Sequence, residues 1–260
     1  MSGKQEPKTN AHRSGKGQGR SAPGLVVVGT EPGCGKTVVA TGLAAVLQEE
    51  GFAARAIKPI LIGQSQECQA ELSFMSSITR TVLDYPTHLM RAPGLLSSFG
   101  WAEALRVCRS GTQCTIVELP GSAATPLTSA DGNWKDNADL VKELDWPCLV
   151  VTCAGPDAME KLLLNTVYLQ SRGATVVALV TVETGSDFSP PRQGGRVELA
   201  PAGVPEIALQ ERTGVPYIGN LRYSASISVP RVNQGNLIKT TSACLDLLPV
   251  IKALNLRISV

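Results

Sequence analysis

The chain has 260 residues, 43% apolar and 18% charged, with a formal net charge of +2. That balance argues against disorder over most of its length, and an aromatic fraction of 4% argues against the stacking surface that single-strand nucleic-acid binders need. The positive charge sits in residues 1–24, where Lys4, Lys8, Arg13, Lys16 and Arg20 face only Glu6, so the remainder carries a net charge of −2 and no nucleic-acid partner is expected. No apolar run reaches roughly 18 residues and the N-terminus has no signal-peptide core, so neither a membrane span nor secretion is expected.

In chain order, residues 1–23 read as a low-complexity basic tail, a solvent-facing segment or, alternatively, a targeting sequence for a plastid or other organelle. Leu25 to Val28 reads as a buried parallel strand, followed by a glycine-rich turn and an amphipathic helix through Val38, Val39, Leu43, Val46 and Leu47 that stops at Gly51. Ala53–Ile57 predicts a second strand ending at Lys58. The stretch 60–100 is irregular, with a helix over Gln69–Thr79 in which Phe74 and Met75 are core. A helix over Trp101–Arg109 leads into a strand over Thr115–Val117 that ends at Glu118. There follow a helix (Asp139–Asp145), a strand (Cys148–Val151), a helix (Asp157–Ser171, capped by Asp157) and a strand (Thr175–Thr181). Residues 184–205, rich in Gly and Pro, are expected to be an inserted loop. Tyr217–Gly219 is the last strand, and Asn236–Leu254 is helical with a break at Pro249. The alternation predicts an α/β fold for residues 24–260, a doubly wound, mostly parallel sheet with helices on both faces.

The seven cysteines are odd in number and make no CxxC pair, which points to reduced, buried thiols in a cytoplasm-like compartment and not to a metal cluster. With only two histidines, His12 in the tail and His88 in an irregular stretch, no Ser-His-Asp arrangement is supported.

The informative segment runs from Leu25 to Thr37. A strand enters the turn Thr30-Glu31-Pro32-Gly33-Cys34-Gly35 and a helix leaves it at Lys36-Thr37. Backbone N–H groups of such a turn, together with the helix N-terminus, cradle a phosphate. Gly33 and Gly35 let the backbone approach closely, Lys36 faces the β- and γ-phosphates, and the Thr37 hydroxyl is a hard oxygen donor for Mg²⁺. The pattern resembles the phosphate loop of the P-loop NTPases, and it implies a nucleotide's phosphates and Mg²⁺. Cys34, beside the helix N-terminus, is read as a small passive residue. The strict pattern places Gly at position 30, where this chain has Thr30 after Gly29. A second loop lysine, as in partition and septum-site ATPases, would fall at position 31, which is Glu31.

Three blocks in order carry a resemblance. Gly29 to Thr37 resembles the GTDTxxGKT loop of the dethiobiotin synthetase family, Ile57-Lys58-Pro59-Ile60 its YKPV block, and Ile116 to Leu127 its VEGAGGxxxPL block, with weaker similarity to residue 225. The resemblance implies a homodimeric, ATP- and Mg²⁺-dependent ligase that closes a ureido ring on 7,8-diaminopelargonate with CO₂ in biotin biosynthesis. It further implies that Lys36 and Lys58 are catalytic, that residues 30–37 hold the nucleotide, that Thr37 and Glu118 hold the metal, and that Glu67 or Glu71 stands in for a third metal ligand.

The chain also departs from that pattern. The family's Gly-Ala-Gly-Gly loop, which offers N–H groups to the substrate carboxylate, is Leu119-Pro120-Gly121-Ser122 here, and its adenine-reading Asn aligns near Val182. Those departures keep a second reading open, a nucleotide-binding regulatory module or pseudo-enzyme without the substrate pocket. A third, an amidoligase acting on a cofactor precursor, lacks a glutaminase Cys-His pairing.

Overall fold

The computed structural model describes residues 23–62, 65–80, 88–90, 95–111, 114–130, 133–185 and 206–256. The basic tail and most of the 184–205 stretch lie outside them. The elements in order are β1 (Gly24–Gly29), α1 (Lys36–Glu49), β2 (Ala54–Ile57), β3 (Ile60–Ile62), α2 (Ser65–Thr79), β4 (His88–Met90), α3 (Ser98–Arg109), β5 (Cys114–Ser122), β6 (Pro126–Ala130) and β7 (Asn133–Asp136). They continue with α4 (Asn137–Leu144), β8 (Cys148–Cys153), α5 (Ala158–Ser171), β9 (Val176–Val182), α6 (Glu206–Thr213), β10 (Tyr217–Leu221), α7 (Leu237–Cys244) and α8 (Leu248–Ala253).

Six strands form one parallel sheet in the order β10-β9-β8-β1-β5-β2. The apolar runs are continuous because both faces are covered. Leu25 and Val27 pack on one side with Val39, Leu43 and Leu47 of α1, while Val26 and Val28 pack on the other with Leu105, Leu140 and Leu162 of α3, α4 and α5. The chain winds outward from β1 to the β2 edge, returns to β5, then crosses to β8 on the opposite flank of β1. The winding therefore reverses at β1, and a doubly wound sheet binds ligands beyond the C-terminal ends of its strands at such a reversal. Gly29 and Lys58 lie at those ends, whereas β5 runs on to Ser122, so Glu118, expected to end its strand, lies within it opposite Val27 of β1. No helix among the described residues is long and apolar enough to cross a membrane.

The structure corrects several local expectations. The 60–100 stretch contains a small two-stranded parallel sheet of β3 and β4, and α2 begins at Ser65 instead of Gln69. Strands of three residues are too short to show a period. The antiparallel β6–β7 pair and α6 were not foreseen either. Asp157 occupies the cap position of α5 but makes no capping hydrogen bond, and its carboxylate pairs with Lys161 at 2.8 Å. Pro249 does not break a helix. It sits in the first turn of α8, where its missing N–H has no helical partner to lose. The break falls at Leu245, which is extended and bridges Gly219, with the Asp246 N–H donating to the Ile218 carbonyl at 2.8 Å. Phe74 and Met75 are fully buried, as expected of core residues. The seven cysteines are free thiols.

α1 and α7 approach closely at Gly42. A Cβ there would lie 2.3 Å from Thr241 Oγ1. Gly42→Ala is therefore expected to destabilise the fold by about 1–3 kcal/mol, the usual range for overpacking, despite alanine's better helix propensity. Denaturant unfolding of Gly42→Ala, alone and combined with Thr241→Ala, checks this, because the second change should restore most of the loss.

Candidate functional site

The turn between β1 and α1 takes two left-handed backbone positions, Gly33 at φ +74 and Gly35 at φ +90. Gly35 is also sterically required, since a Cβ there would meet Val182 Cγ1 at 2.6 Å. The departure at position 30 has a structural account. The close approach occurs one residue earlier, at Gly29, where a Cβ would lie 2.7 Å from Lys36 Nζ and 2.8 Å from Cys34 Sγ. Thr30 is free of that constraint. Its N–H donates to the Val151 carbonyl at 2.9 Å, and its hydroxyl lies 2.7 Å from that of Thr152, so it pins the loop to β8. The buried Lys36 lies across its own loop, with Nζ donating to the Glu31 carbonyl at 2.8 Å.

Of the eight sequence-assigned loop residues, Pro32, Gly33, Gly35, Lys36 and Thr37 line a cavity of 890 Å³ at the strand ends. Thr30, Glu31 and Cys34 are not part of its lining. The Glu31 carboxylate instead pairs with Lys161 of α5 at 2.9 Å, and Cys34 is fully buried with its thiol donating to the Val151 carbonyl at 3.3 Å.

Beside the loop, the structure brings together residues far apart in sequence. Lys58 follows β2, Glu118 lies on β5, and both are buried. Lys58 Nζ donates to Glu118 Oε1 at 2.9 Å and to Glu71 Oε2 of α2 at 2.5 Å. Thr37 Oγ1 donates to the same Glu118 Oε1 at 3.1 Å. Burial by itself would pull the Lys58 pKa down, but the Glu118 and Glu71 carboxylates outweigh it and hold the group above the ordinary lysine range. Burial raises the Glu71 pKa against the opposing pull of Lys58.

The donor set here suits Mg²⁺. Thr37 and Glu118 supply hard oxygens, and Glu118 Oε2 is buried with no hydrogen-bond partner among the described residues. No group of three His, Cys, Asp or Glu side chains able to hold a metal ion occurs among the described residues. A magnesium ion at Thr37 and Glu118 would therefore complete its shell with phosphate and water oxygens. Glu67 and Glu71, the two stand-ins for a third ligand, both line the cavity, and Glu71 is already engaged with Lys58.

The cavity is lined by both charged and apolar side chains. Lys36, Lys58, Glu67, Glu71, Glu118, Glu183 and Arg222 are the charged ones, while Val182, Leu221, Tyr223, Ile227 and Val229 supply apolar surface. The Glu183 carboxylate accepts from Asn220 Nδ2 at 2.7 Å and from the Tyr223 N–H at 3.0 Å. The 221–230 wall was missed by sequence reasoning, and its one available signal was that β10 ends on the same side of the sheet as the phosphate loop.

The 119–125 loop is braced internally. Asn137 Nδ2 donates to the Pro120 carbonyl at 2.5 Å and the Ser122 carbonyl at 2.6 Å. The Ser122 N–H donates to Thr125 Oγ1 at 2.7 Å, and the Ala123 N–H donates to Asn165 Oδ1 at 3.2 Å. The Thr125 N–H donates to the Ser122 carbonyl at 3.1 Å, so at least three N–H groups of this loop are already engaged, and Pro120 has none to give.

No protein-family model matches the chain. Among curated proteins it is 31% identical over 165 residues to the ATP-dependent dethiobiotin synthetase BioD of Mycobacteroides abscessus, covering 60% of this chain and 72% of that protein. It is 27% identical over 202 residues to the enzyme of the same name from Anaeromyxobacter sp., covering 72% and 86% respectively. Among solved structures it resembles the MinC:MinD cell division protein complex of Aquifex aeolicus, with a TM-score of 0.53 and 13% identity over 85% of this chain and 95% of that one. At that identity the likeness concerns the P-loop fold alone.

Proposed function

The chain belongs to the dethiobiotin synthetase family, and we propose that it is an ATP- and Mg²⁺-dependent ligase closing a ureido ring on 7,8-diaminopelargonate with CO₂. In this reading one substrate amine adds to CO₂ as a carbamate, and a carbamate oxygen takes the γ-phosphoryl group of ATP and releases ADP. The second amine then attacks the carbamoyl carbon and expels phosphate, which closes the ring. Such chemistry needs positioning and charge neutralisation more than covalent help.

The phosphate loop and the α1 N-terminus cradle the β-phosphate, and Lys36 offsets charge on the β- and γ-phosphates. Thr37 and Glu118 would hold Mg²⁺, which would supply positive charge to the phosphate oxygens. Lys58, beside the loop and sharing Glu118 Oε1 with Thr37, faces the carbamate and the transferred phosphoryl group. The observation that carries this reading is the burial of Lys58 in the same cavity as the loop, since holding a nucleotide alone does not call for a second buried lysine there. Homodimer assembly belongs to the same proposal. The test is phosphate release from ATP with Mg²⁺ and bicarbonate, with and without millimolar diamine. Stimulation by the diamine is expected, and its absence would overturn the reading.

The braced 119–125 loop favours a second reading, a nucleotide-binding regulatory module, because its engaged N–H groups are poorly placed to receive a carboxylate. Under that reading the diamine leaves phosphate release unchanged.

A further inference from the structure

We propose that Glu71 is a positioning residue whose share of the Lys58 ammonium keeps one oxygen of Glu118 open for the magnesium–nucleotide. The inference rests on the phosphate-loop half of the function proposed above and not on the identity of the diamine.

Glu118 is crowded on one side only. Its Oε1 accepts from both Thr37 and Lys58, at 3.1 and 2.9 Å, while Oε2 is buried and bare among the described residues. A buried ammonium must be compensated by nearby carboxylates. Glu71 supplies part of that compensation from α2, at 2.5 Å, closer than Glu118 itself. Glu67 lies one helical turn before Glu71 on the same face of α2, and both line the cavity. With Glu71 removed, the ammonium would bear more heavily on Glu118 and draw toward its second oxygen. A cation would then stand where a divalent ion has to approach. Glu71 thus acts on the metal site through Lys58 and without touching Glu118.

The test measures affinity for a non-hydrolysable ATP analogue with and without Mg²⁺, so it needs neither diamine nor turnover. In the parent, Mg²⁺ should tighten the analogue. Glu71→Ala and the near-isosteric Glu71→Gln should reduce that gain about tenfold, the lower end of what loss of an outer-shell partner does to metal affinity. Metal-free affinity should stay at the parental value. In the Lys58→Ala background the effect of Glu71→Ala should vanish, since no ammonium remains to invade Glu118. A helix-packing role alone would leave the Mg²⁺ gain of Glu71→Gln intact. A full gain in Glu71→Gln, or a defect that persists without Lys58, would overturn the inference and leave the proposed function standing. A parent that shows no Mg²⁺ gain would overturn the phosphate-site reading together with it.

Discussion

Lys36→Ala is expected to lose ATP-dependent turnover by a factor on the order of 10²–10³, the usual consequence of removing one pre-organised donor from developing negative charge. The backbone cradle survives the change, but nothing else on the loop supplies a full positive charge. The geometry adds a sharper expectation. Lys36 Nζ packs over the bare α-carbon of Gly29, where even a Cβ would lie 2.7 Å away, and it donates to the Glu31 carbonyl at 2.8 Å. An arginine brings a wide, planar head group into a space shaped for a compact ammonium. Lys36→Arg should therefore fail nearly as badly as Lys36→Ala, although it keeps the charge. Steady-state phosphate release for both variants, beside their melting temperatures, checks this. Parental turnover in Lys36→Ala would remove the loop from the chemistry.

The parts of this site that were legible in the sequence are those carried by local patterns. A strand, a glycine-rich turn and Gly35-Lys36-Thr37 lie within thirteen residues, and backbone physics fixes their mutual geometry. Lys58 was legible as a strand-end residue, and a doubly wound sheet gathers strand ends at one crevice, whereas Glu118 was read as ending a strand that continues to Ser122. Glu71 was legible only as an acid of uncertain duty. Its bond to Lys58 depends on where α2 starts and how it tilts across β2, which is decided by packing against α1 and not by the residues of α2 alone. The bracing of the 119–125 loop by Asn137 and Asn165 was not legible, because those residues come from α4 and α5 and carry no motif. The β3–β4 and β6–β7 pairs were missed because strands of three to five residues offer too few positions for alternation to register.

Lys58→Ala separates the ligase from a nucleotide-holding module. The side chain is buried between two carboxylates, so its removal leaves Glu118 and Glu71 without their nearest counter-charge. A loss of stability of about 3–5 kcal/mol is the usual result of breaking a buried pair in this way, and the half-exposed Glu71 places the expected loss below that range. Nucleotide affinity should stay near the parental value, because Lys36, the loop backbone and Thr37 are untouched and Glu118 loses a competitor for its oxygens. Turnover should behave differently. If Lys58 stabilises the carbamate and the phosphoryl group in transit, diamine-stimulated phosphate release should fall on the order of 10²–10³-fold, mainly in kcat. Because the flanking carboxylates hold Lys58 protonated well above neutral pH, a change of assay pH between 6 and 9 should not mimic the variant. The measurement is diamine-stimulated phosphate release in parent and variant, at a temperature where both are folded. A variant that keeps parental diamine-stimulated turnover would reduce Lys58 to a structural lysine.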